Sequence, residues 1–458
     1  MVNDTIAAIA TPLGTGGIAI IKISGPNALS AAGMVFRPAN PRRSLLELPS
    51  QTMLYGHVHE PGQRETIDEV LISVLRGPHS FTGEDVVEIN CHGGPQVTRS
   101  ILDLLLEVGL RLAEPGEFTR RAFMNGRIDL TQAEATIDLI HARTKRAARL
   151  GSRMLSDGLG NKIQSLGRII ADSRMRIEAA IEFGEEAEMD VAPQDIQNVL
   201  GNTVLPVIED LVAAHQRGEI IRNGLRVVLA GKPNVGKSSL MNQLLQKERV
   251  IVTEIAGTTR DTIEEGFEIE GVPILLCDTA GLRHNPDPIE RIGQEKARQA
   301  IEQADLILFM IDGSRAIDDY DRALAAKLEG LTQLVVRNKA DLVADPAQRA
   351  VLDKAPMDGY LDISALRGDG LEALKAKILD HVGEGLGIEN DTWLPNHRQK
   401  ELLIKVKALI GNALETGQTI DALAMDLRDC ERYFNQILGI DVEPDVLETI
   451  FKRFCIGK

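Results

Sequence analysis

Hydrophobic and polar positions alternate in short runs over roughly the first 120 residues of the chain. Runs such as IAIIKIS, DEVLISVL and DVVEIN have the length and residue types of β-strands, and turn-forming clusters such as GTGG, GPHSFTG and CHGGP lie among them. Strands and turns of this kind, mixed with a few helices, build a compact sheet domain. We therefore predict an N-terminal α/β domain over residues 1–120.

Two later segments show the spacing of helices. Over residues 121–220, apolar side chains recur every three or four residues, as at Ala135, Leu139 and Ala142, and strand signals nearly vanish. Residues 383–458 show a helical pattern again, from about His397 onward. We predict that the two segments form one helical domain.

Strand and helix patterns alternate between those segments, over residues 221–382. The strand candidates are LRVVLA, VPILLCD, ADLILFMID, QLVVRN and YLDIS. Because helical stretches lie between most of them, the alternation predicts a doubly wound sheet. The predicted architecture is an α/β domain inserted into the helical domain, with the N-terminal α/β domain ahead of both.

Composition limits the class of protein. The 458 residues carry a formal net charge of −16, which argues against broad nonspecific binding of nucleic acid. No secretory signal opens the chain and no run of eighteen apolar residues predicts a membrane span. The four scattered cysteines form neither a disulfide framework nor a zinc motif. We expect a cytoplasmic protein with free thiols and no membrane partner.

A glycine-rich segment follows the strand LRVVLA. GKPNVGKS, from Gly231 to Ser238, matches G-x-x-x-x-G-K-[ST] between a strand and a helix. Its glycines let backbone N–H groups surround phosphates, Lys237 can reach the β- and γ-phosphates, and Ser238 can ligate Mg²⁺. The segment predicts a P-loop nucleotide site.

Three further strings follow strands of the same region. DTAG (Asp278–Gly281) offers a carboxylate for Mg²⁺ and an N–H group for the γ-phosphate, and SAL (Ser364–Leu366) suits a loop behind the base. NKAD (Asn338–Asp341) offers the Asp341 carboxylate, which can accept hydrogen bonds from the guanine N1–H and N2–H₂ groups. Adenine has no matching donor pair, so GTP is predicted over ATP. Together the strings resemble a translation-factor-type GTPase.

One position departs from Ras-like GTPases. Leu282 stands where a glutamine orients the attacking water, and no residue nearby is an evident arginine finger. Asn234 and the carbonyl groups of Thr253 and Ile255 could instead surround a monovalent cation, and Thr259 could complete the Mg²⁺ shell.

Glu290, shortly after DTAG, is the candidate for orienting the water. The alternative is that it only complements a helix dipole, and spacing alone does not decide between the two.

Longer motifs extend the match to nearly the whole chain. GKPNVGKSS, IAGTTRD, DTAGLR with IERIG, NKAD, DTIAAIATPLGTGGIAIIKISG, SFTGEDVVEINCHGGP, PGEFTRRAFMNGRIDLTQAEA and a terminal CIGK resemble the MnmE (TrmE) family of tRNA-modification GTPases. The resemblance implies an N-terminal domain that dimerises and binds a tetrahydrofolate derivative, in the 5,10-methylene or 5-formyl form. It also implies a flavoprotein partner, MnmG, which uses FAD and NADH. The pair would add an aminomethyl or carboxymethylaminomethyl group to C5 of the wobble uridine of certain tRNAs.

The resemblance also implies roles for single residues. Lys237 and Glu290 would be catalytic; Ser238 and Thr259 would hold Mg²⁺; and K⁺ would be held by Asn234, Thr253, Ile255 and Thr258. The expected GTP-binding residues are Asn234, Val235, Gly236, Lys237, Ser238, Ser239, Thr253, Thr258, Thr259, Asp278, Thr279, Ala280, Gly281, Asn338, Lys339, Asp341, Ser364 and Ala365.

Four positions match the family's folate site: Lys22, Glu88, Arg127 and Lys458. The family pattern has arginine at the first and lysine at the third, and both replacements keep the positive charge while changing the hydrogen-bond geometry. The alternatives are an edge-strand lysine for Lys22 and an ordinary surface charge pair for Glu88 and Arg127.

Cys455 is the fourth residue from the end of the sequence, followed by Ile456, Gly457 and Lys458. A prenylation box does not fit, because Lys458 belongs to neither usual class of final residue. Under the family resemblance the last helix carries this thiol towards the folate, and Lys452, Arg453 and Lys458 favour its thiolate. The alternative is an exposed cysteine without a role.

Other functions remain open at this stage. The basic run HARTKRAARLGSR (His141–Arg153) could contact tRNA phosphates, but a solvated helix face is the default expectation. The rival to a modifying enzyme is a regulatory GTPase switch that binds RNA or the ribosome. A membrane-remodelling GTPase is disfavoured because no amphipathic or lipidated anchor is evident.

Overall fold

The computed structural model describes residues 4–63, 65–156, 158–183, 193–247, 265–278, 298–342, 360–382, 393–415 and 419–458. The chain divides into two compact units. The first comprises Met1–Ile137, Asp157–Gly201 and Ala408–Lys458, and the second comprises Asp138–Ser156 and Asn202–Lys407.

The first unit contains a seven-stranded sheet in the order β3-β4-β5-β6-β2-β1-β7. The strands are β1 Ile6–Ile9, β2 Ile18–Ser24, β3 Phe36–Pro38, β4 Thr52–His59, β5 Thr66–Leu75, β6 Val86–His92 and β7 Arg111–Leu112. All neighbours are antiparallel except β1 and β7. The three predicted N-terminal strands are β2, β5 and β6.

Period-two burial places the two faces of β2 in different surroundings. Ala19, Ile21 and Ile23 are buried in the main core of the unit. Lys22 therefore points to the opposite face of the sheet. Because β2 lies between β6 and β1, the expectation of an edge-strand lysine is wrong.

Helices make up most of the remaining structure outside the second sheet. They are α1 Ala28–Val35, α2 Pro95–Glu107, α3 Glu117–Met124, α4 Leu130–Ile140, α5 Lys145–Ser156, α6 Leu159–Phe183, α7 Pro193–Val199 and α8 Leu205–Asn223. The later helices are α9 Lys237–Lys247, α10 Asp319–Leu328, α11 Leu371–Val382, α12 His397–Ala413, α13 Ile420–Leu438 and α14 Pro444–Phe451. The predicted helical pattern after the N-terminal sheet and near the end of the chain is present.

The second unit contains a six-stranded sheet in the order β13-β12-β11-β8-β10-β9. Its strands are β8 Leu225–Gly231, β9 Glu265–Ile269, β10 Val272–Asp278, β11 Leu306–Asp312, β12 Gln333–Asn338 and β13 Tyr360–Asp362. Five strands are parallel, and β9 pairs antiparallel with β10 at one edge. All five predicted strands are found, whereas β9 was not predicted because EGFEI is short and half polar.

Candidate functional site

The P-loop connects β8 to α9 in a conformation that requires glycine. Gly231 has φ +151°, and a Cβ atom there would lie 2.4 Å from the Met310 carbonyl oxygen. Gly236 has φ +100°, and a Cβ atom there would lie 2.1 Å from the Asn338 side-chain nitrogen. A side chain at either position would be strained and would also displace a neighbouring strand end. The two motif glycines therefore let the loop pack tightly on β11 and β12.

The loop lysine is held inside the loop. Lys237 is buried, and its ammonium group donates to the carbonyl oxygens of Gly231 at 2.9 Å and of Lys232 at 2.7 Å. A cation in this position, within a loop of backbone N–H groups at a helix N-terminus, suits a polyphosphate.

Asn338 joins three of the predicted motifs. Its side-chain nitrogen donates to the Val235 carbonyl oxygen at 2.8 Å, and its side-chain oxygen accepts from the Ala365 N–H group at 2.9 Å. The residue is buried, so both bonds are shielded from water. The P-loop, NKAD and SAL are thus fixed relative to one another by a single side chain.

The side chain expected to read the base is also fixed. Asp341 accepts a 2.7 Å hydrogen bond from the Ser364 hydroxyl, and Arg367 lies 3.8 Å from its other oxygen. Lys339, at φ +67°, reaches Asp312 at the end of β11 with a 2.7 Å ion pair. These contacts hold a carboxylate in one orientation, as recognition of two adjacent base donors requires.

These loops enclose a cavity of about 640 Å³. That volume is within the range of ligand pockets, roughly 300–1,000 Å³. The lining combines loop glycines, cations and two exposed leucines: Gly231, Pro233, Asn234, Gly236, Lys237, Ser238, Ser239, Asn338, Lys339, Asp341, Leu342, Ala365 and Leu366. The structure thus brings the predicted P-loop and base-loop residues to one cavity.

Several predicted residues lie outside the described part of the chain. They are Thr253, Ile255, Thr258, Thr259, Thr279, Ala280, Gly281 and Glu290, together with Leu282. Asp278 is the last residue of β10. It lies opposite Leu229 of β8, the strand that leads into the P-loop. The hard oxygen ligands that Mg²⁺ prefers are available from Ser238 in the first turn of α9.

A second group of predicted residues lies on the face of the N-terminal sheet opposite its main core. Lys22 and Glu88 are direct neighbours on β2 and β6, with the Lys22 ammonium nitrogen 3.9 Å from a Glu88 carboxylate oxygen. The same ammonium nitrogen lies 5.3 Å and 5.4 Å from the ring centres of Phe81 and Phe118. Burial lowers the pKa of Lys22, Glu88 opposes that effect, and the positive charge of Lys458 lowers the pKa further. Lys458 therefore acts on the same site.

Arg127 makes a hydrogen bond to the loop next to this group of residues. Its Nε–H group donates to the Ser80 carbonyl oxygen at 3.1 Å, so it supports the loop that carries Phe81. The alternative of a Glu88–Arg127 surface pair is wrong, because the partner of Glu88 is Lys22. Phe81 and Phe118 lie in the quoted motifs SFTGEDVVEINCHGGP and PGEFTRRAFMNGRIDLTQAEA, but the motifs alone did not indicate that both rings pack beside Lys22.

The C-terminal segment packs on the N-terminal sheet domain within the first unit. The N–H group of Gly116 donates to the Cys455 carbonyl oxygen at 3.4 Å, and that of Phe118 donates to the Lys458 oxygen at 3.2 Å. Gly457 has φ +93°, and a Cβ atom there would lie 2.5 Å from the Ile9 carbonyl oxygen. The segment is therefore docked, and a frayed chain end is excluded for these residues.

Cys91, Cys430 and Cys455 differ in how far they are exposed to solvent. Burial raises the pKa of Cys91 to about 11 and that of Cys430 to about 12, so both are inert thiols. Cys455 is exposed, although its backbone is anchored. Its thiol is thus accessible from solvent.

A buried ion-pair network, also missed by the sequence reasoning, supports the same region. Arg121 donates to Glu117 at 3.0 Å, to Asp4 at 2.7 Å and to Glu84 at 3.2 Å, and Arg111 donates to Glu117 at 2.6 Å. Arg121 and Glu117 are buried, and these hydrogen bonds compensate their charges for the loss of contact with water. The network fixes α3, the helix that accepts the C-terminal segment.

Two family models match this chain. One, described as the GTP-binding protein TrmE N-terminus, matches residues 5–127, and the other, described as the MnmE helical domain, matches residues 130–455.

Full-length relatives are similar at about 40% identity. Among them, the tRNA modification GTPase MnmE of Carboxydothermus hydrogenoformans is 42% identical over 466 residues, covering 100% of both chains. The protein of the same name from Enterococcus faecalis is 40% identical over 460 residues, covering 99% of this chain and 98% of its own.

Two solved structures are similar to part of this chain. Aquifex aeolicus Era bound to GDP and aluminium fluoride is 28% identical over 40% of this chain and 66% of that chain, with a TM-score of 0.29. The G domain of the T. maritima FeoB iron transporter is 25% identical over 35% of this chain and 99% of that chain, with a TM-score of 0.27. TM-scores of this size add nothing to the sequence match.

Proposed function

Because this chain belongs to the MnmE family of tRNA-modification GTPases, we propose that GTP hydrolysis drives a modification of the wobble uridine of certain tRNAs. The product carries an aminomethyl or carboxymethylaminomethyl group at C5. The flavoprotein MnmG is the partner, with its FAD and NADH, and a tetrahydrofolate derivative is the one-carbon source. The proposed domains are 1–120 for folate and dimerisation, 121–220 with 383–458 for the helical domain, and 221–382 for GTP.

GTP is bound and hydrolysed in the cavity lined by the P-loop, NKAD and SAL. Asp341, held by Ser364, selects guanine, and Lys237 with the P-loop N–H groups binds the phosphates. A Mg²⁺ ion, held by Ser238 and Thr259, neutralises developing charge on the phosphate oxygens when it is bound. Glu290 orients the water.

A K⁺ ion would supply the positive charge that an arginine finger supplies in other GTPases. Asn234 has φ +63° and lines the cavity on the P-loop side. Its side-chain oxygen would hold the ion together with the carbonyl oxygens of Thr253 and Ile255 and with Thr258. Oxygen ligands of this kind suit a large monovalent cation better than they suit a transition metal.

Folate binds on the face of the N-terminal sheet that carries Lys22. Because Lys22 and Glu88 are 3.9 Å apart, they contact the same end of the cofactor: Lys22 donates to pterin oxygens and Glu88 accepts from pterin N–H groups. Lys458 adds positive charge to this site. Phe81, which is 41% exposed, provides apolar surface for a flat ring, and buried Phe118 packs beside the Lys22 ammonium group. Arg127, next to the loop of Phe81, is the fourth proposed folate-binding residue.

Dimerisation through the N-terminal domain is supported by an exposed apolar face. Tyr55 and Leu71 are direct neighbours on β4 and β5, and they are 46% and 44% exposed. Met53, on the same face two residues from Tyr55, is 55% exposed. Contiguous exposed apolar side chains of this kind mark interaction surfaces. In the described part of the chain no helix is long and apolar enough to cross a bilayer, and we propose a cytoplasmic location.

The observation that carries the proposal is the docked C-terminal segment. The segment carries the exposed Cys455 and is anchored to Gly116 and Phe118, and the charge of Lys458 acts on Lys22. A GTPase switch that modifies nothing needs neither the thiol nor the charge. Cys455 is therefore proposed to serve the one-carbon chemistry.

The test is reconstitution with MnmG, tetrahydrofolate derivative, NADH, GTP and unmodified tRNA, followed by nucleoside mass spectrometry. Cys455→Ser should abolish the modified uridine while GTP hydrolysis stays near normal. Glu290→Ala should still bind GTP, but hydrolysis should fall by about 10²–10⁴ because a water-positioning group is lost. Full modification by Cys455→Ser would remove Cys455 from the chemistry. Failure of the unaltered protein to modify any tRNA would favour the regulatory switch.

A further inference from the structure

One helix of the second unit concentrates positive charge in an acidic chain. The run from Leu139 to Ser156 contains five Lys and Arg residues and no Asp or Glu, whereas the whole chain carries a net charge of −16. Most of this run is α5, which begins after Thr144, whose hydroxyl accepts the Ala147 N–H group at 3.1 Å.

The charges are arranged along one face of α5. Lys145, Arg149 and Arg153 are four residues apart and exposed, so they form a row about 12 Å long. The opposite face is buried through Leu150 and Met154, which fixes which side of the helix is presented. Across the described ranges, none of the three exposed side chains forms an ion pair with a carboxylate. We call the row the α5 basic surface.

A cavity of about 190 Å³ adjoins this surface. Its rim is formed by Lys145, Arg146, Arg149, Arg153 and the turn between β9 and β10, and Leu150, Ile221 and Leu394 also line it. A Cβ atom at Gly271 of that turn would lie 3.0 Å from the Arg146 Cβ, so the turn packs closely against the helix. Glu270 is the acidic lining residue, and the balance of four cations to one carboxylate suits an anion.

The chemistry of the row favours a phosphodiester backbone. Two of its three side chains are arginines, whose forked donors match phosphate oxygens in pairs. An interface with an acidic protein would be expected to centre on a buried aromatic or aliphatic anchor. Within the described residues, α5 presents no exposed large hydrophobic side chain. The exposed row itself therefore matches a polyanion better than it matches a protein interface.

We propose that the α5 basic surface binds backbone phosphates of the substrate tRNA, which rests on tRNA being the substrate in the proposed function. The surface recognises charge and spacing, and it does not read bases. Its cavity places the bound strand against the β9–β10 turn.

The test compares three double variants with the unaltered protein in tRNA binding, measured at several salt concentrations, alone and with MnmG. Arg149→Gln with Arg153→Gln should raise the Kd at least about tenfold at low salt. The slope of log K against log salt should become shallower by about 1.4–1.8, since each lost phosphate contact removes roughly 0.7–0.9. Arg149→Lys with Arg153→Lys keeps the charge and should keep the slope. The matched control, Arg42→Gln with Arg43→Gln, removes two exposed charges elsewhere and should bind tRNA normally.

Each other outcome has a meaning. An unchanged Kd and salt slope in the Arg149–Arg153 glutamine variant, with an unchanged thermal midpoint, would overturn the proposal. Equal losses in the Arg42–Arg43 control would also overturn it, because overall charge would then be responsible. Normal tRNA binding with weakened MnmG binding would assign the surface to a protein partner instead. If the unaltered protein, with or without MnmG, bound no tRNA, the proposed function itself would fail.

Discussion

The Asn338 side chain reaches from the end of β12 to the P-loop and donates a 2.8 Å hydrogen bond to the Val235 carbonyl oxygen. Its oxygen accepts from Ala365, so one amide connects the phosphate side and the base side of the GTP cavity. The loops around the cavity are thus held in place by the protein itself. Less conformational entropy is therefore lost when a nucleotide binds.

Replacing Asn338 by Ala should weaken GTP binding by roughly 10–100-fold. Two hydrogen bonds of about 1 kcal/mol or more each are lost, and two buried backbone groups are left without partners. Titration with a fluorescent guanine nucleotide measures the Kd. Asn338→Asp is the comparison, since it keeps the acceptor for Ala365 and removes only the donor. Unchanged affinity in the alanine variant would mean that the amide does not organise the cavity.

Asp341→Asn should change the preferred base. An amide in place of the carboxylate offers a donor to the 2-oxo group of xanthine and loses one acceptor for guanine. GTP affinity should fall at least about 100-fold, and xanthosine triphosphate should bind better than GTP. Competition binding of the two nucleotides checks this. Retained GTP preference would show that NKAD does not read the base.

GTP turnover should be faster in KCl than in NaCl at equal ionic strength. The oxygen ring proposed around Asn234 suits a cation of the size of K⁺, and Na⁺ would fit it poorly. Asn234→Ala should remove the difference, and phosphate release measures it. Equal rates in the two salts for the unaltered protein would eliminate the cation as the activator.

Gly457→Ala should undock the C-terminal segment. An added Cβ atom would lie 2.5 Å from the Ile9 carbonyl oxygen at a φ of +93°. Uridine modification should fall at least tenfold, while GTP hydrolysis is retained. Gly109→Ala is the matched control, because its φ is +99° but no atom lies within 4 Å of the added carbon. If both variants lost uridine modification equally, backbone strain would explain the loss and undocking of the C-terminal segment would not.

His92 should titrate at a higher pH than an ordinary histidine. Its Nδ1–H group donates to buried Asp68 at 2.6 Å, and this hydrogen bond and the Asp68 charge raise the pKa of His92. The stability it contributes is present below the unfolded pKa of about 6.5 and is lost as pH rises through the folded pKa. Asp68→Asn should lower the His92 pKa measured by NMR titration. The free energy of unfolding should then change less with pH between the unfolded and the folded pKa of His92. A His92 pKa at or below 6.5 in the unaltered protein would contradict this.

Local patterns predicted much of the fold because the signals are themselves local. Strands such as β8 and β11 are continuous apolar runs, and the P-loop and NKAD follow strands directly. The partners of those motifs were not predictable. The Asn338–Val235 bond joins residues 103 positions apart, and the placement of Phe118 beside Lys22 depends on how α3 packs on the sheet. The β9 strand forms through pairing with β10, and its own composition gives little sign of it.

The C-terminal segment also supplies hydrogen-bond acceptors for the N-terminus of α3. The first N–H groups of a helix have no partner within it, and here Gly116 and Phe118 find carbonyl acceptors at Cys455 and Lys458. Release of the segment would expose both amides to water while the rest of α3 stayed folded. The hydrogen–deuterium exchange rates of these two amides therefore report how often the thiol leaves its position, without any label on the thiol.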